Sequence, residues 1–170
     1  MKFTFVPEYR FETFDMASAE FLFEKGIKGI ILDIDNTLEP YEHPHPGEHV
    51  VKWLRALSDI GIKAAIVSNN GRERVELFNK DLGLPAYYKA KKPFSKNLKR
   101  ALSDLSVEKN EAIFIGDQIF TDVLAARFFG IRAILVPPIK DKTDPFTRFK
   151  RLLERPILKK YNKLHKNKEE

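Results

Sequence analysis

Short unbroken apolar runs recur along the chain at residues 30–32 (extended by Ile34), 64–67, 112–115 and 133–136. Continuous rather than alternating apolar runs suit strands covered on both faces, as in a parallel sheet. The segments between them carry helical spacing. Residues 47–60 place Val50, Val51, Leu54, Leu57 and Ile60 on one face and stop at Gly61. Residues 72–82 place Val75, Phe78 and Leu82 together before Gly83, and 95–105 align Leu98, Ala101, Leu102 and Leu105. Residues 121–129, with Val123, Leu124, Ala126 and Phe129, end at Gly130. Glycine after the last periodic residue is a helix stop signal. Residues 86–88 predict a further short strand. Ahead of the first strand, 15–25 predicts a helix capped by Asp15, with Ala19, Leu22 and Phe23 inward. Strands alternating with helices predict an α/β fold, a Rossmann-like three-layer sandwich around a central parallel sheet. The aromatic stretch Phe3, Phe5, Tyr9, Phe11 and Phe14 is expected to cover one sheet face.

At 170 residues the chain is the size of one domain and buries a core without staples. It has no cysteine, which excludes disulfides and cysteine-based metal or nucleophile sites. No apolar run approaches the ~20 residues that span a bilayer, and the first residues lack a secretory h-region, so a cytoplasmic protein is expected. The net charge of +6 is concentrated at one end. Residues 140–170 hold 11 Lys+Arg and 5 Asp+Glu, which accounts for all of it. The division expected is a neutral body over 1–145 and a basic helix or tail over 146–170. Such a tail suits an anionic partner, a membrane surface or nucleic acid, and also suits a solvated helix.

The apolar runs lead into polar residues at their carboxyl ends, where open α/β sheets bind ligands. The first run enters Asp33-Ile34-Asp35-Asn36-Thr37-Leu38. Residues two apart in a strand point the same way, so both carboxylates reach toward one ligand. Two such anions repel unless a cation lies between them. Bound Mg²⁺ would keep Asp33 ionised as a nucleophile and leave Asp35 to carry protons. The second run enters Ser68-Asn69-Asn70, Lys92 precedes Pro93, and the third run enters Gly116-Asp117-Gln118-Ile119-Phe120-Thr121-Asp122. Turn chemistry explains any one of these pieces, but not four in this order.

In that order they resemble the four motifs of the haloacid dehalogenase (HAD) superfamily. The resemblance implies that Asp33 attacks phosphorus and forms an aspartyl-phosphate, with Asp35 as general acid and base. It implies that Ser68 and Asn69 bind the phosphoryl oxygens, while Lys92, chosen over Lys91 because it adjoins the proline, offsets their charge. It further implies Mg²⁺ on Asp33, the backbone carbonyl of Asp35 and Asp117, with Asp122 orienting a metal-bound water and Thr37 in a supporting place. An aspartate at position 35 favours hydrolysis over dehalogenation or a lasting phospho-enzyme.

Only nine residues separate Thr37 from Gly47, and 23 separate Ser68 from Lys92. Neither interval can hold a cap domain, so an open site is expected, suited to a phosphate on something bulky. Together these features resemble the capless subclass IIIA phosphatases of the YqeG type, themselves similar to phosphatidylglycerophosphate phosphatases of mitochondria and plastids. That implies a lipid-borne phosphate and peripheral contact with an anionic membrane through the basic tail. Two other readings stand beside it: a soluble sugar phosphate, nucleotide or phosphoprotein as substrate, and a non-catalytic nucleic-acid-binding module, which the full set of motif residues disfavours.

Three further features tempt. His43 and His45, in a proline-rich loop, lack the rest of a ligand set, so an exposed loop is expected. Arg72 and Arg74 sit near the site mouth, where a solvated helix start is expected rather than a second phosphate site. Phe146, Phe149, Leu152 and Leu153 are apolar at helical spacing among Arg148, Lys150, Arg151 and Arg155. That pattern suits a helix lying on an anionic membrane or one packed on the body.

Overall fold

The computed structural model describes residues 5–94, 96–140 and 145–166, with the side chains of 145–151, 165 and 166 left aside. Six parallel strands form one sheet in the order β1-β6-β5-β2-β3-β4. They are β1 (Tyr9–Arg10), β2 (Gly29–Leu32), β3 (Lys63–Val67), β4 (Ala86–Tyr87), β5 (Ala112–Gly116) and β6 (Arg132–Leu135). The helices are α1 (Ala19–Glu24), α2 (Glu48–Asp59), α3 (Arg72–Asn79), α4 (Asn97–Leu105), α5 (Leu124–Phe129) and α6 (Pro145–Lys166). The chain adds β3 and β4 on one side of β2, then crosses to place β5 on the other. The order of building therefore reverses between β2 and β5, which opens a crevice at their carboxyl ends.

All four predicted apolar runs are strands, buried on both faces as their sequence requires. Two core layers result. One holds Leu22, Ile30, Leu32, Val50, Trp53, Leu57, Ile66 and Phe78, and the other Ile31, Ala65, Val67, Leu98, Leu102, Phe114 and Ala133. Successive residues of β2 enter opposite layers, as strand geometry dictates. On α2 the inward stripe is Val50, Trp53 and Leu57, while Ile60 at the helix end is exposed. Trp53 Nε1 donates to the Ala17 carbonyl at 2.9 Å, which satisfies its one polar atom inside the core.

The beginning of the chain departs from expectation. Ser18, not Asp15, caps α1, its hydroxyl accepting from Phe21 N at 3.2 Å, and Asp15 lies in a separate 3₁₀ turn, Phe14–Met16. Leu22 faces inward, but Phe23 is exposed. Tyr9 and Arg10 extend the sheet as its edge strand, pairing with Ile134 and Leu135. Tyr9 and Phe11 meet Phe21 edge-on at 5.1 Å, so this part of the aromatic stretch both extends the sheet and covers a face, while Phe3 lies outside the described residues. The residues expected to begin α4 include Ser95, which lies outside the described residues, and α4 runs from Asn97.

A π-helical turn, Ile119–Val123, precedes α5 where one continuous helix was expected. Its wide spiral turns Asp122 inward. The intervals after Thr37 and after Ser68 hold only a loop with α2, and α3 with β4, so there is no cap among the described residues. On α6, Ile157 and Leu158 pack on the second core layer, and Glu154 accepts from Ile119 N at 3.0 Å. Leu152 and Leu153 stay exposed. Phe146, Phe149, Arg148, Lys150 and Arg151 have side chains outside the described set. No described helix is long and apolar enough to cross a membrane.

Candidate active site

The register of the sheet builds the site. Leu32 pairs with Ile115, so the chain leaves β2 at Asp33 just where β5 ends at Gly116 and leads to Asp117. Asp33 N donates to the Ile115 carbonyl at 3.1 Å, which holds the first aspartate against β5. Beyond it the chain turns tightly, with Asn36 in the left-handed region at φ +63°. Asparagine tolerates that conformation better than most residues.

Asp33, Asp117 and Asp122 each present a carboxylate oxygen within 4.8 Å of the others. All three are buried, as are Ser68 and Lys92. Lys92 Nζ stands 2.8 Å from Asp33 Oδ1 and 2.7 Å from Asp122 Oδ1, with its charge 5.2 Å from the centre of the Phe114 ring. Asp122 Oδ2 also accepts from Gln118 N at 3.1 Å. Gly116 makes this approach possible, since a Cβ there would meet Asp122 Cβ and Cγ at 2.5 Å. The Thr37 hydroxyl reaches Asp117 Oδ1 at 3.5 Å, the limit of a hydrogen bond.

Burial pushes Asp33 up to about 6, with the Lys92 charge opposing and Asp122 and Asp35 adding to the rise. Burial alone would lower Lys92, but the carboxylates of Asp122 and Asp33 outweigh it and hold the ammonium charged. Three buried carboxylates thus face one ammonium. That excess negative charge, carried on hard oxygen donors, fits a divalent cation. Asp33 and Asp117 lie in that cluster beside Asp122, whose two oxygens are already engaged by Lys92 and the Gln118 N–H.

Asp35 does not join that cluster. Its carboxylate, 15% exposed, takes bonds from Asn70 Nδ2 at 2.9 Å and Arg74 Nε at 3.1 Å. Strand alternation predicted a shared direction with Asp33, but β2 ends at Leu32, before either carboxylate. Ser68 accepts from Asn70 N at 3.1 Å, leaving its hydroxyl hydrogen free to donate elsewhere. Asn69 uses both ends of its side chain on the main chain of Lys92, accepting from its N at 2.7 Å and donating to its carbonyl at 3.3 Å. It fixes the lysine's backbone, and the second hydrogen of its amide remains for another acceptor.

Arg72 pairs with Glu76 on the surface, as a solvated helix start should. Arg74 does not follow that expectation, because its side chain is only 11% exposed and bonded to Asp35. The grip of Asn70 and Arg74 on Asp35, and the place of Glu39, are what sequence reasoning missed. Buried Glu39 accepts from Gly47 N at 2.8 Å and meets His43 Nδ1 at 3.0 Å, so it pins the loop ahead of α2. His43 serves that loop, and His45 is exposed.

Comparison with known proteins identifies the family and the fold. Residues 12–136 match the family model of haloacid dehalogenase-like hydrolases. Over 158 residues, 93% of this chain and 92% of the other, the sequence is 39% identical to a probable phosphatase, YqeG, of Bacillus subtilis. Over 155 residues it is 26% identical to phosphatidylglycerophosphate phosphatase 1 of Arabidopsis thaliana, covering 84% of this chain but only 44% of that protein. The fold is similar to cobalt-bound deoxy-D-mannose-octulosonate 8-phosphate phosphatase of Haemophilus influenzae, with a TM-score of 0.54 at 14% identity over 81% of this chain and 91% of that one. The protein belongs to the haloacid dehalogenase-like hydrolase family and is an enzyme of its phosphatase type.

Proposed function

We propose that the protein is a Mg²⁺-dependent phosphomonoester hydrolase acting on a lipid-borne phosphate, of the phosphatidylglycerophosphate kind, at the inner face of a membrane. The observation that carries the chemistry is Lys92, held between Asp33 and Asp122 beside Asp117. Asp33 is the nucleophile: a carboxylate oxygen bonds to phosphorus as the bond to the leaving oxygen breaks. Asp35 gives its proton to that oxygen, then takes one from the water that cleaves the aspartyl-phosphate, which restores both residues. The Ser68 hydroxyl donates to a phosphoryl oxygen, and Lys92 offsets charge on the nucleophile and the phosphoryl group. Asn69 holds the lysine in place. A bound Mg²⁺ supplies further positive charge for the phosphoryl oxygens. Asp33, Asp117 and the Asp35 carbonyl would hold it, with Asp122 as outer partner and Thr37 behind Asp117.

Support for a lipid substrate comes from the lack of a cap among the described residues, from the Arabidopsis relative and from the exposed lysines of α6, among them Lys159, Lys160 and Lys163. In this reading the body to residue 145 carries the chemistry and the basic segment from 146 meets the membrane. A soluble phosphate ester is the second reading, favoured by the packing of Ile157 and Leu158 on the body, which withdraws apolar surface from any bilayer. Phosphate release with Mg²⁺ separates them, measured on phosphatidylglycerophosphate in anionic vesicles, sugar phosphates and nucleotides. The proposal expects the lipid to be preferred, and expects Lys159→Glu/Lys160→Glu/Lys163→Glu to weaken vesicle binding and lipid turnover alone. Each basic residue near an anionic surface contributes about 1 kcal/mol. Equal loss on soluble esters, or no preference for lipid, sinks the lipid reading. Absence of Mg²⁺-dependent release from every ester sinks the chemistry.

A further inference from the structure

Asp35 is gripped from two directions by residues that the catalytic steps above do not use. Arg74, in the first turn of α3, donates through Nε to Oδ1, and Asn70, in the loop after β3, donates through Nδ2 to Oδ2. Each donor is itself held. Asn70 Oδ1 accepts from Gly71 N at 2.6 Å, which fixes which end of its amide faces Asp35. Arg74 Nη1 donates to the Pro44 carbonyl at 3.0 Å, and its guanidinium lies 5.3 Å from the centre of the Phe78 ring.

A lone aspartate samples several rotamers, whereas proton transfer requires its oxygen within hydrogen-bond reach of the leaving group. Two donors on separate oxygens remove that freedom, and a carboxylate with about four lone-pair sites still has one on each oxygen for the substrate side. The bond from Arg74 is charge-assisted and comes from a planar fork whose geometry survives poorly in lysine. The same guanidinium ties Asp35 to the loop at Pro44. We infer that Arg74 is a positioning residue: with Asn70 it holds the Asp35 carboxylate in the orientation that serves the leaving-group oxygen, and it acts on catalysis only through Asp35. The inference rests on the acid–base role proposed for Asp35.

The test is a double-mutant cycle in the full-length enzyme with Mg²⁺, on glycerol 3-phosphate, a poor leaving group, and 4-nitrophenyl phosphate, a good one. Arg74→Met should lower kcat on glycerol 3-phosphate by about 10–100-fold, part of what a general acid contributes. KM should change less than about threefold, and the loss on 4-nitrophenyl phosphate should be smaller. Arg74→Lys should recover little, while guanidinium ion added to Arg74→Ala should restore part of the rate. In an Asp35→Asn background, Arg74→Met should cost nothing further, since the group it positions is already gone. Full additivity in the cycle, or equal losses on both esters, overturns the positioning role while leaving Asp35 as acid and base. Wild-type turnover of glycerol 3-phosphate by Asp35→Asn itself overturns the underlying mechanism instead. Arg74→Lys supplies the same comparison if Arg74→Met does not fold.

Discussion

Replacing Asp33 by Asn should abolish turnover and, without metal, make the protein more stable. Burial holds the Asp33 carboxyl at about 6 against an ordinary 3.8, net of the Lys92 attraction, so its ionised form is disfavoured in the fold. Between those two values the folded state binds more protons than the unfolded one, and stability falls as pH rises. Below 3.8 both states are protonated and the cost is absent; above about 6 both are ionised and it is complete. At ~1.4 kcal/mol per pH unit the full cost is on the order of 3 kcal/mol, worth roughly 5–10 °C in a domain of this size. An uncharged, nearly isosteric asparagine avoids it. Thermal transitions of both proteins in chelator, from pH 4 to pH 8, should coincide at the acid end and separate as pH rises, levelling off above 6. Added Mg²⁺ should raise the wild type, by ~2.7 kcal/mol at a hundredfold excess over Kd, and raise Asp33→Asn less. A variant no more stable than wild type at pH 7 in chelator, or a gap that ignores pH, would refute this account of the buried charge.

The other perturbations probe the same cluster from different sides. Lys92→Met leaves three buried carboxylates without their ammonium, so a loss of ~3–5 kcal/mol in chelator is expected from denaturant titration, together with loss of phosphatase activity. Gly116→Ala presses a methyl group onto Asp122 and should cost about 1–3 kcal/mol as well as activity; a silent variant would show that the close approach has no consequence. Asp117→Ala should raise the Mg²⁺ concentration needed for half activity more than Asp122→Ala, whose carboxylate is already engaged by Lys92 and the Gln118 N–H. The reverse order in a metal titration would exchange their roles. Leu158→Asp should lower the melting temperature, because that side chain packs on the second core layer; an unchanged transition would mean α6 is held elsewhere.

What could be read from the sequence was whatever repeats or runs locally. Apolar runs such as 64–67 announce a buried strand without any knowledge of partners, and the polar residues that end them mark the site by position alone. The parts that escaped depend on contacts distant in sequence. Nothing around Arg74 signals Asp35, 39 residues earlier, and its helix-start position reads as solvent-facing. Asn69 reads as a phosphate donor, and nothing near it in the sequence signals its two bonds to the main chain of Lys92, 23 residues away. Asp15 and Ser18 are both good caps by type, and the choice depends on where Leu22 must enter the core. At two residues, β1 is too short to show a period.

The pairing of Ile31 with Phe114 has a consequence for how the protein acquires its function. Lys92 and the three carboxylates of the cluster come from the segments that follow β4, β2 and β5, which meet only after the chain has crossed the sheet. No short fragment carries more than part of the set, and a nascent chain that has not yet emitted β5 has no cluster to bind an ion or a phosphate. Closing so large a loop makes this one of the slower contacts to form. An unfolded chain therefore competes poorly for the cation, so nearly all of the binding free energy is available to the native state. If the proposed cation binds at this cluster, growth conditions rich in it should raise the yield of folded enzyme from marginal variants.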